Sequence, residues 1–595
     1  MRFDSLNLEQ KAAVMAPEAN VLVLAGAGSG KTRTLIERVA WLIQNSASPY
    51  EIVCATFTRA AAAEMRGRLV DRIGRLARQV SLSTLHGLGL RLMSRYGECI
   101  GLRSGSISVY TPLETQTLLE HEGEMLGLYV KGKWKHGKKL LDGIFERIEA
   151  GEPCPEDSPY FPLVRCFEAA YRANNAVPYY GLIHGLAHMA EMGKIREYTN
   201  WKYLLVDEAQ DLDAMQWRAL AAIQKHADKG ELYAVGDLSQ SIYGFRGAVP
   251  GYLQGMIDDG RLKVYELKSN YRSDKAIVDA ANRLIGHNRS YRALEMQAMR
   301  PANANTVEVI NDMDSTALAA WIANTFFAFP PTVLCRNNRM LDKISAELAA
   351  LGVKHRRIGK TTSALHSPLF VKSHALLKCC ANPFDETAFL MCHKGLGLSA
   401  DGYANCRVLA AQSGKSSWQV YLEVVEEKDR ACLPLASTSM WEVKKWFEQG
   451  KYAFDPQDGD KAEFMAWLLA YLDKFPLAEL AEYLDWLALV DAQDEIRQWN
   501  DDESEKLITL MTCHAAKGLE FPVVILAGCN EGVLPGKQAI KAGEDAIEDE
   551  RRIMYVAATR PRDLLILAVR PTRKPLSGGG NRDEPASRFL VEMGM

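Results

Sequence analysis

Lys31 and Thr32 close the run VLVLAGAGSGKT at residues 21–32. This combination suits phosphate binding. With no side chains at Gly26, Gly28 and Gly30, the backbone N–H groups from Ala25 through Ala27 and Ser29 can close around phosphate oxygens. A helix that opens at Lys31 adds the positive end of its dipole, with Arg33 in its first turn. Lys31 would reach the β- and γ-phosphates of a nucleotide, and Thr32 would ligate Mg2+. Ala25 stands where the strict pattern has glycine, and small size is what that position needs. A second segment, YLLVDEAQD at residues 203–211, supplies carboxylates. Asp207 would hold the Mg2+ through water, and Glu208 would orient and deprotonate an attacking water. Taken singly, these segments could be a glycine turn and an acidic loop. Together they describe a phosphate-loop nucleotide hydrolase.

The flanking residues are those that must position this chemistry. Val21–Leu24 and Tyr203–Val206 are short apolar runs of the kind that form buried parallel strands. TRTLIERVAWLI after the glycines has helical spacing. Strand, loop and helix in that order predict an α/β fold with the phosphate loop at a strand's carboxyl end.

At 595 residues the chain exceeds one core, so three to five domains are expected. Hydrophobic content of 48% and charged content of 24% fit a globular protein. The absence of any apolar run near ~18 residues argues against a membrane span. The polar start MRFDSLNLEQK is unlike a secretory signal, so a cytoplasmic location is expected. The 12 cysteines form no C-x-x-C, which argues for reduced thiols without zinc or iron–sulfur. A net charge of −3 excludes a wholly basic nucleic-acid binder but leaves room for a basic channel. Two local clusters could line one: the arginines of residues 59–78, and KGKWKHGKK at 131–139.

Further segments, in order along nearly the whole chain, resemble the motif set of UvrD/Rep-type superfamily 1 DNA helicases. FDSLNLEQKAAV resembles the Q motif, which implies that Gln10 reads the adenine. ATFTRAAAAEMRGR at 55–68 resembles motif Ia and STLHGLGLRLM at 83–93 resembles motif Ib. The resemblance then implies that Phe57, Thr84 and His86 lie along single-stranded DNA. YAVGDLSQSIYGFRGA at 233–248 resembles motif III: Gln240 would sense the γ-phosphate, while Tyr243 and Phe245, supported by Arg246, would stack on bases. LKSNYRSDKAI at 267–277 resembles motif IV, placing Tyr271 on the adenine and Arg272 at the γ-phosphate. ITLMTCHAAKGLEFPVVILAGCNEGVLP at 508–535 resembles motif V, with Thr512 and His514 at DNA and Glu520 at the ribose. EDERRIMYVAATRPRDLLIL at 548–567 resembles motif VI, with Arg560 as the arginine finger. NPFDETAFLMCHKGLGLSADGY resembles a duplex-contacting helix–hairpin–helix, with Lys394, Gly395 and Gly397 beside phosphates.

The resemblance implies two RecA-like motor domains with parallel sheets, each interrupted by a mainly helical insertion. The first would hold residues 1–90 and 178–250, with its insertion at 91–177. The second would hold 251–370 and 505–595, with its insertion at 371–504. It further implies ATP as fuel, Mg2+ as cofactor, 3′ to 5′ movement on single-stranded DNA, unwinding at single-strand/duplex junctions, and service in repair, recombination or replication. Departures stand at Arg59, where the family has Asn or Lys, at Phe245, where it has Trp, and at Pro561 after the finger. AVPYYGLIHGL also lacks the acids common before the second core segment. A competing reading is a DNA-stimulated ATPase that signals to a partner nuclease in a regulatory or defence complex.

Overall fold

The structure is a computed structural model that describes residues 3–227, 230–244, 247–291, 293–303, 306–358, 368–425, 433–449, 465, 468–469, 471–473, 475–489, 507–571 and 585–595. Two six-stranded sheets organise it. In the first, the strands lie in the order 263–267, 20–25, 231–236, 203–206, 52–56 and 81–84. Every pairing is parallel. The sequence dictates this arrangement because the central strands are apolar at successive positions and must be covered on both faces. Val21, Val23 and Ala25 pack with Leu35 and Val39 of the helix Lys31–Gln44 on one side. Leu22 and Leu24 pack on the other, in the core that holds Leu186 of the helix Gly181–Glu191 and Leu220 of the helix Ala214–His226.

The second sheet has the order 307–310, 561–568, 521–527, 332–335, 508–512 and 355–357, again parallel throughout. Leu334, Leu526 and Leu567 share a core with Ile277 and Ala281 of the helix Lys275–Ile285 and with Met554 of the helix Glu544–Ala558. Val333, Ile525 and Ile566 face the opposite core with Leu318, Ile344 and Leu348.

One expected boundary moves. Strand Lys263–Leu267 pairs residue for residue with the phosphate-loop strand, Val23 opposite Tyr265. It closes the first sheet, so residues 251–267 do not begin the second domain. The pairing satisfies backbone groups that the strand Asn20–Ala25 would otherwise leave open on that edge. Among the described strands, the chain leaves the first sheet at Leu267 and enters the second at Val307.

Each sheet carries an insertion. The first contains the helices Pro112–Met125, Lys138–Glu149 and Phe161–Ala173 and two short strand pairs, 108–110 with 176–178 and 129–130 with 133–134. The second is helical, with a core built on Phe389, Trp418, Tyr421, Met440 and Tyr483. The two meet through buried polar groups. Lys378 Nζ lies 2.6 Å from both carboxylate oxygens of Glu114. Tyr110 donates its O–H to Asp385 at 2.5 Å, and Asn174 donates to Thr387 at 3.2 Å. Asn382 Nδ2 donates to the Asn174 carbonyl at 2.9 Å.

Candidate nucleotide cleft and strand-facing residues

The phosphate loop leaves the strand Asn20–Ala25 and enters the helix at Lys31 through two glycines with positive φ, Gly28 at 66° and Gly30 at 87°. A β-carbon on Gly28 would come within 2.6 Å of the Arg272 β-carbon, so only glycine fits there. Gly30 is the helix N-cap and makes no side-chain cap, which leaves the first-turn N–H groups facing the loop. Ser29 folds inward and donates to the Gly26 carbonyl at 2.7 Å. Arg33 points away from the loop and holds Ser5, donating to its hydroxyl at 2.6 Å.

The expected acids stand beside this loop. Asp207 follows the strand Tyr203–Val206 and accepts the Glu208 N–H at 3.0 Å. Glu208 has a left-handed backbone, φ 51°, which turns its carboxylate back over the strand end. Gln210 Nε2 donates to it at 2.6 Å. Burial pushes Asp207 above the usual carboxylate range, the neighbouring charge of Glu208 adds to the rise, and Lys31 opposes it. Burial would raise Glu208 as well. Lys31, Lys517, the Gln210 hydrogen bond and Arg560 outweigh it and hold Glu208 low. Glu208 is thus an ionised carboxylate among cations, the charge state a general base requires. Lys31 Nζ lies 3.9 Å from Asp237, a residue at the end of the strand Glu231–Gly236.

The second sheet reaches into the same place. Arg560, at the amino end of the strand Pro561–Ala568, is 1% exposed. Its guanidinium donates to Val556 and Leu519 carbonyls and, at 3.2 Å, to the side-chain oxygen of Gln240. Burial and Arg272 pull Arg560 down, Glu208 and Asp237 resist, and a guanidinium stays charged at neutral pH. Gln240 in turn donates to Asp237 at 2.6 Å. Glu520 and Arg272 face each other directly at 2.7 Å. Gln10 spends its amide locally, accepting from Asn7 N–H at 3.2 Å and donating to the Ser29 carbonyl at 3.0 Å. Its neighbour Asn7 donates to the Tyr271 hydroxyl at 2.8 Å, which leaves the half-exposed Tyr271 ring at the mouth of the loop.

Three groups here went unremarked among the sequence candidates: Asp211, Asp237 and Lys517. Lys517 is 6% exposed and comes from the turn after the strand Ile508–Thr512. Its ammonium contacts the Asp211 carboxylate and donates to the Gln240 carbonyl at 2.6 Å. Each lies inside a segment already quoted, YLLVDEAQD, YAVGDLSQ or CHAAKGLEF; the signal was a charged residue next to an apolar strand end.

The expected strand contacts divide. Phe57 and Tyr243 stack at 5.0 Å with 15° between planes, and His514 approaches Tyr243 at 6.5 Å. Tyr243 itself is 3% exposed, so it is not an open platform for a base. Phe57 and Lys517 press against its ring, and in this arrangement Phe57 is the more accessible ring. Thr84 caps the helix Leu85–Tyr96, its hydroxyl accepting the Gly87 N–H at 3.1 Å. His86 stacks on Tyr179 at 4.3 Å, which gives AVPYYGLIHGL a packing partner despite its missing acids. Thr512 accepts the Ala515 N–H at 3.2 Å. Phe245 and Arg246 lie outside the described residues. In the second insertion, the helices Glu386–Cys392 and Ala400–Ser413 flank a turn that exposes Lys394 and Gly397, the latter at φ 77°, and buries Gly395.

The basic clusters also differ. Arg59 donates to the Trp486 carbonyl at 2.6 Å, Arg66 to the Ala77 carbonyl at 2.8 Å, and Arg72 pairs with Glu37 at 2.8 Å, so these three are spent on packing while Arg68, Arg75 and Arg78 are exposed. Lys131, Lys133, Lys135, Lys138 and Lys139 are exposed around a short hairpin.

Two parallel sheets, with a phosphate loop on one and an arginine brought from the other, define a two-lobed phosphate-loop motor. A family model for the UvrD/REP helicase N-terminal domain matches residues 6–260. One for the UvrD-like helicase C-terminal domain matches residues 265–400 and 410–571. The chain belongs to the UvrD-type helicase family. It is 28% identical to DNA helicase II of Salmonella typhimurium and 29% identical to DNA helicase II of Escherichia coli, over 99% of this chain and 87% of each relative. It is 26% identical to ATP-dependent DNA helicase PcrA of Staphylococcus epidermidis, over 99% of this chain and 86% of that protein. Among the described residues no helix is long and apolar enough to cross a membrane.

Proposed function

We propose that the chain is an ATP-driven helicase that moves 3′ to 5′ along single-stranded DNA and separates duplex at a junction. The observation that carries this reading is the buried contact of Arg560 with Gln240, which makes one ATP site from both sheets. The names of the relatives, ATP-dependent and DNA helicase, support the choice of fuel and track.

In this reading the loop N–H groups and Lys31 hold the triphosphate. Thr32 and Asp207 offer oxygen donors, the chemistry that suits Mg2+ and leaves its other positions to phosphate and water. Bound there, the ion would offset phosphate charge. Glu208 takes the proton of the attacking water, and Arg272 and Arg560 neutralise the charge that develops on the transferred phosphoryl group. Arg272 turns from Glu520 to the phosphate, which releases Glu520 for the ribose. Tyr271 stacks on the adenine with Gln10 beside it. Loss of the γ-phosphate removes what both lobes share, the cleft opens, and alternating grip moves the strand past Phe57, Thr84, His86, Thr512 and His514. The Lys394–Gly397 turn meets the duplex backbone ahead of the junction.

The test is displacement of a labelled strand from duplexes with a 3′ or a 5′ single-stranded tail, with Lys31→Ala as control. Release from the 3′-tailed duplex alone, abolished in the control, is expected. Release from neither, with ATP turnover intact, would overturn the unwinding assignment.

A further inference from the structure

Lys517 bridges the two lobes and at the same time touches the Tyr243 ring. Its ammonium is rooted in the second sheet, yet it meets two groups of the first: the Asp211 carboxylate and the Gln240 carbonyl. From each of these a short path leads to the reacting groups. Asp211 shares the Gln210 amide with Glu208, at 3.4 and 2.6 Å. Gln240 meets Arg560 at 3.2 Å and holds Asp237, which faces Lys31. On another side, the same ammonium lies 4.8 Å from the centre of the Tyr243 ring, on which Phe57 stacks. A cation over an aromatic face is attracted by the ring's quadrupole, and the attraction grows when both are desolvated. Lys517 is therefore held by two grips at once: one on Asp211 and the Gln240 backbone next to the catalytic acids, one on the Tyr243–Phe57 ring pair.

We propose that Lys517 is a positioning residue that makes ATP turnover answer to single-stranded DNA. When a strand engages Phe57 and shifts the Tyr243 ring, the ammonium moves with it. Asp211 and the Gln240 backbone then move, and with them the placement of Glu208 and Arg560. The inference rests on the helicase reading above and deepens it by naming the side chain that couples its two sites.

Steady-state ATP hydrolysis, with and without saturating oligothymidylate, tests it in the full chain and in Lys517→Met, Lys517→Arg, Asp211→Asn and the Lys517→Met/Asp211→Asn double variant. Stimulation of the parent protein by the oligonucleotide checks the helicase reading itself, and its absence would overturn that reading and this inference together. With the parent stimulated, Lys517→Met is expected to lose stimulation of kcat by about tenfold or more while KM for ATP moves less than about threefold. Lys517→Arg keeps a charge at the same place and retains most of the stimulation. The double variant removes both buried charges, so its loss is expected to be smaller than the product of the single losses. Equal proportional losses of basal and stimulated kcat in Lys517→Met, together with a failed arginine rescue, would reduce Lys517 to a packing role. Single losses that multiply in the double variant would do the same. Should Lys517→Met fail to fold, Lys517→Arg and Asp211→Asn decide the matter through the same ratio of stimulated to basal kcat.

Discussion

The nucleotide cleft and the seam between the two insertions are both interfaces that bury charge, and they bury it differently. At the seam, Lys378 has its full complement in Glu114 and the Val109 carbonyl. Tyr110, Asn174 and Asn382 likewise spend their polar atoms across the boundary. The cleft is a cluster rather than a set of pairs. Lys31, Arg272, Lys517 and Arg560 crowd around Asp207, Glu208, Asp211 and Asp237, several of which share partners. Matched pairs in low dielectric fix one geometry. A shared cluster with cations gathered beside a phosphate loop gains a further partner when a polyanion arrives, and so has a second arrangement within reach. The seam is built to hold, and the cleft is built to change.

The sharpest break would come in the cleft. Arg560→Ala should lower kcat for ATP by about a thousandfold, the scale of an arginine finger, and should also lower the unfolding midpoint, because the buried guanidinium bonds the Val556 and Leu519 carbonyls. A loss under tenfold would mean that Arg560 only packs. At the seam the order reverses: Lys378→Met strands the Glu114 charge, so stability should fall by roughly 3–5 kcal/mol in urea unfolding with basal ATP turnover kept, and Glu114→Gln added to it should restore most of the loss. If the single variant is as stable as the parent, the matched-pair account fails.

Asp385 gives a smaller effect with a defined sign. Burial, with Glu114 adding to it, raises its carboxyl to about 6, against the pull of Lys378. The folded state therefore binds a proton that the unfolded chain has already released between about pH 4 and 6. The stabilising contribution is present at the acid end of that window and is lost as pH rises through it. Asp385→Asn, neutral at every pH, should be more stable than the parent at pH 7.5 by roughly 1–2 kcal/mol, with the gap closing toward pH 5. A constant gap in thermal unfolding across that range would exclude Asp385 as its source. The smallest effect is expected at Arg59→Ala, which removes one hydrogen bond and a ring contact with Trp486 between the first lobe and the second insertion. About 1 kcal/mol and faster proteolysis near residue 489 are the expected readouts.

The cleft was largely legible in the sequence because its residues sit in contiguous strings, each at the end of an apolar run. Lys31, Asp207, Glu208, Gln240, Arg272 and Arg560 do converge. Two features could not be read that way. The seam depends on pairs such as Tyr110 with Asp385, separated by 275 residues with nothing local to join them. Tyr243 reads as a stacking ring because its neighbours on the chain say so, whereas its burial is decided by Phe57 and Lys517, which arrive from far along it. The strand KVYEL at 263–267 escaped its sheet for the same reason: its partner is the strand Asn20–Ala25.

That strand has a mechanical consequence. The crossing between the two lobes starts where it ends and runs against the phosphate loop, with the Tyr271 N–H on the Gly28 carbonyl at 3.0 Å and Arg272 against Gly28. In the proposed cycle the hinge would therefore lie next to the bound triphosphate, at the short end of the lever. A shift of a fraction of an ångström at the γ-phosphate would then be multiplied by the ratio of two radii before it reached the strand Val307–Ile310 at the edge of the second sheet. In the proposed cycle, the stroke would be set by where this hinge lies.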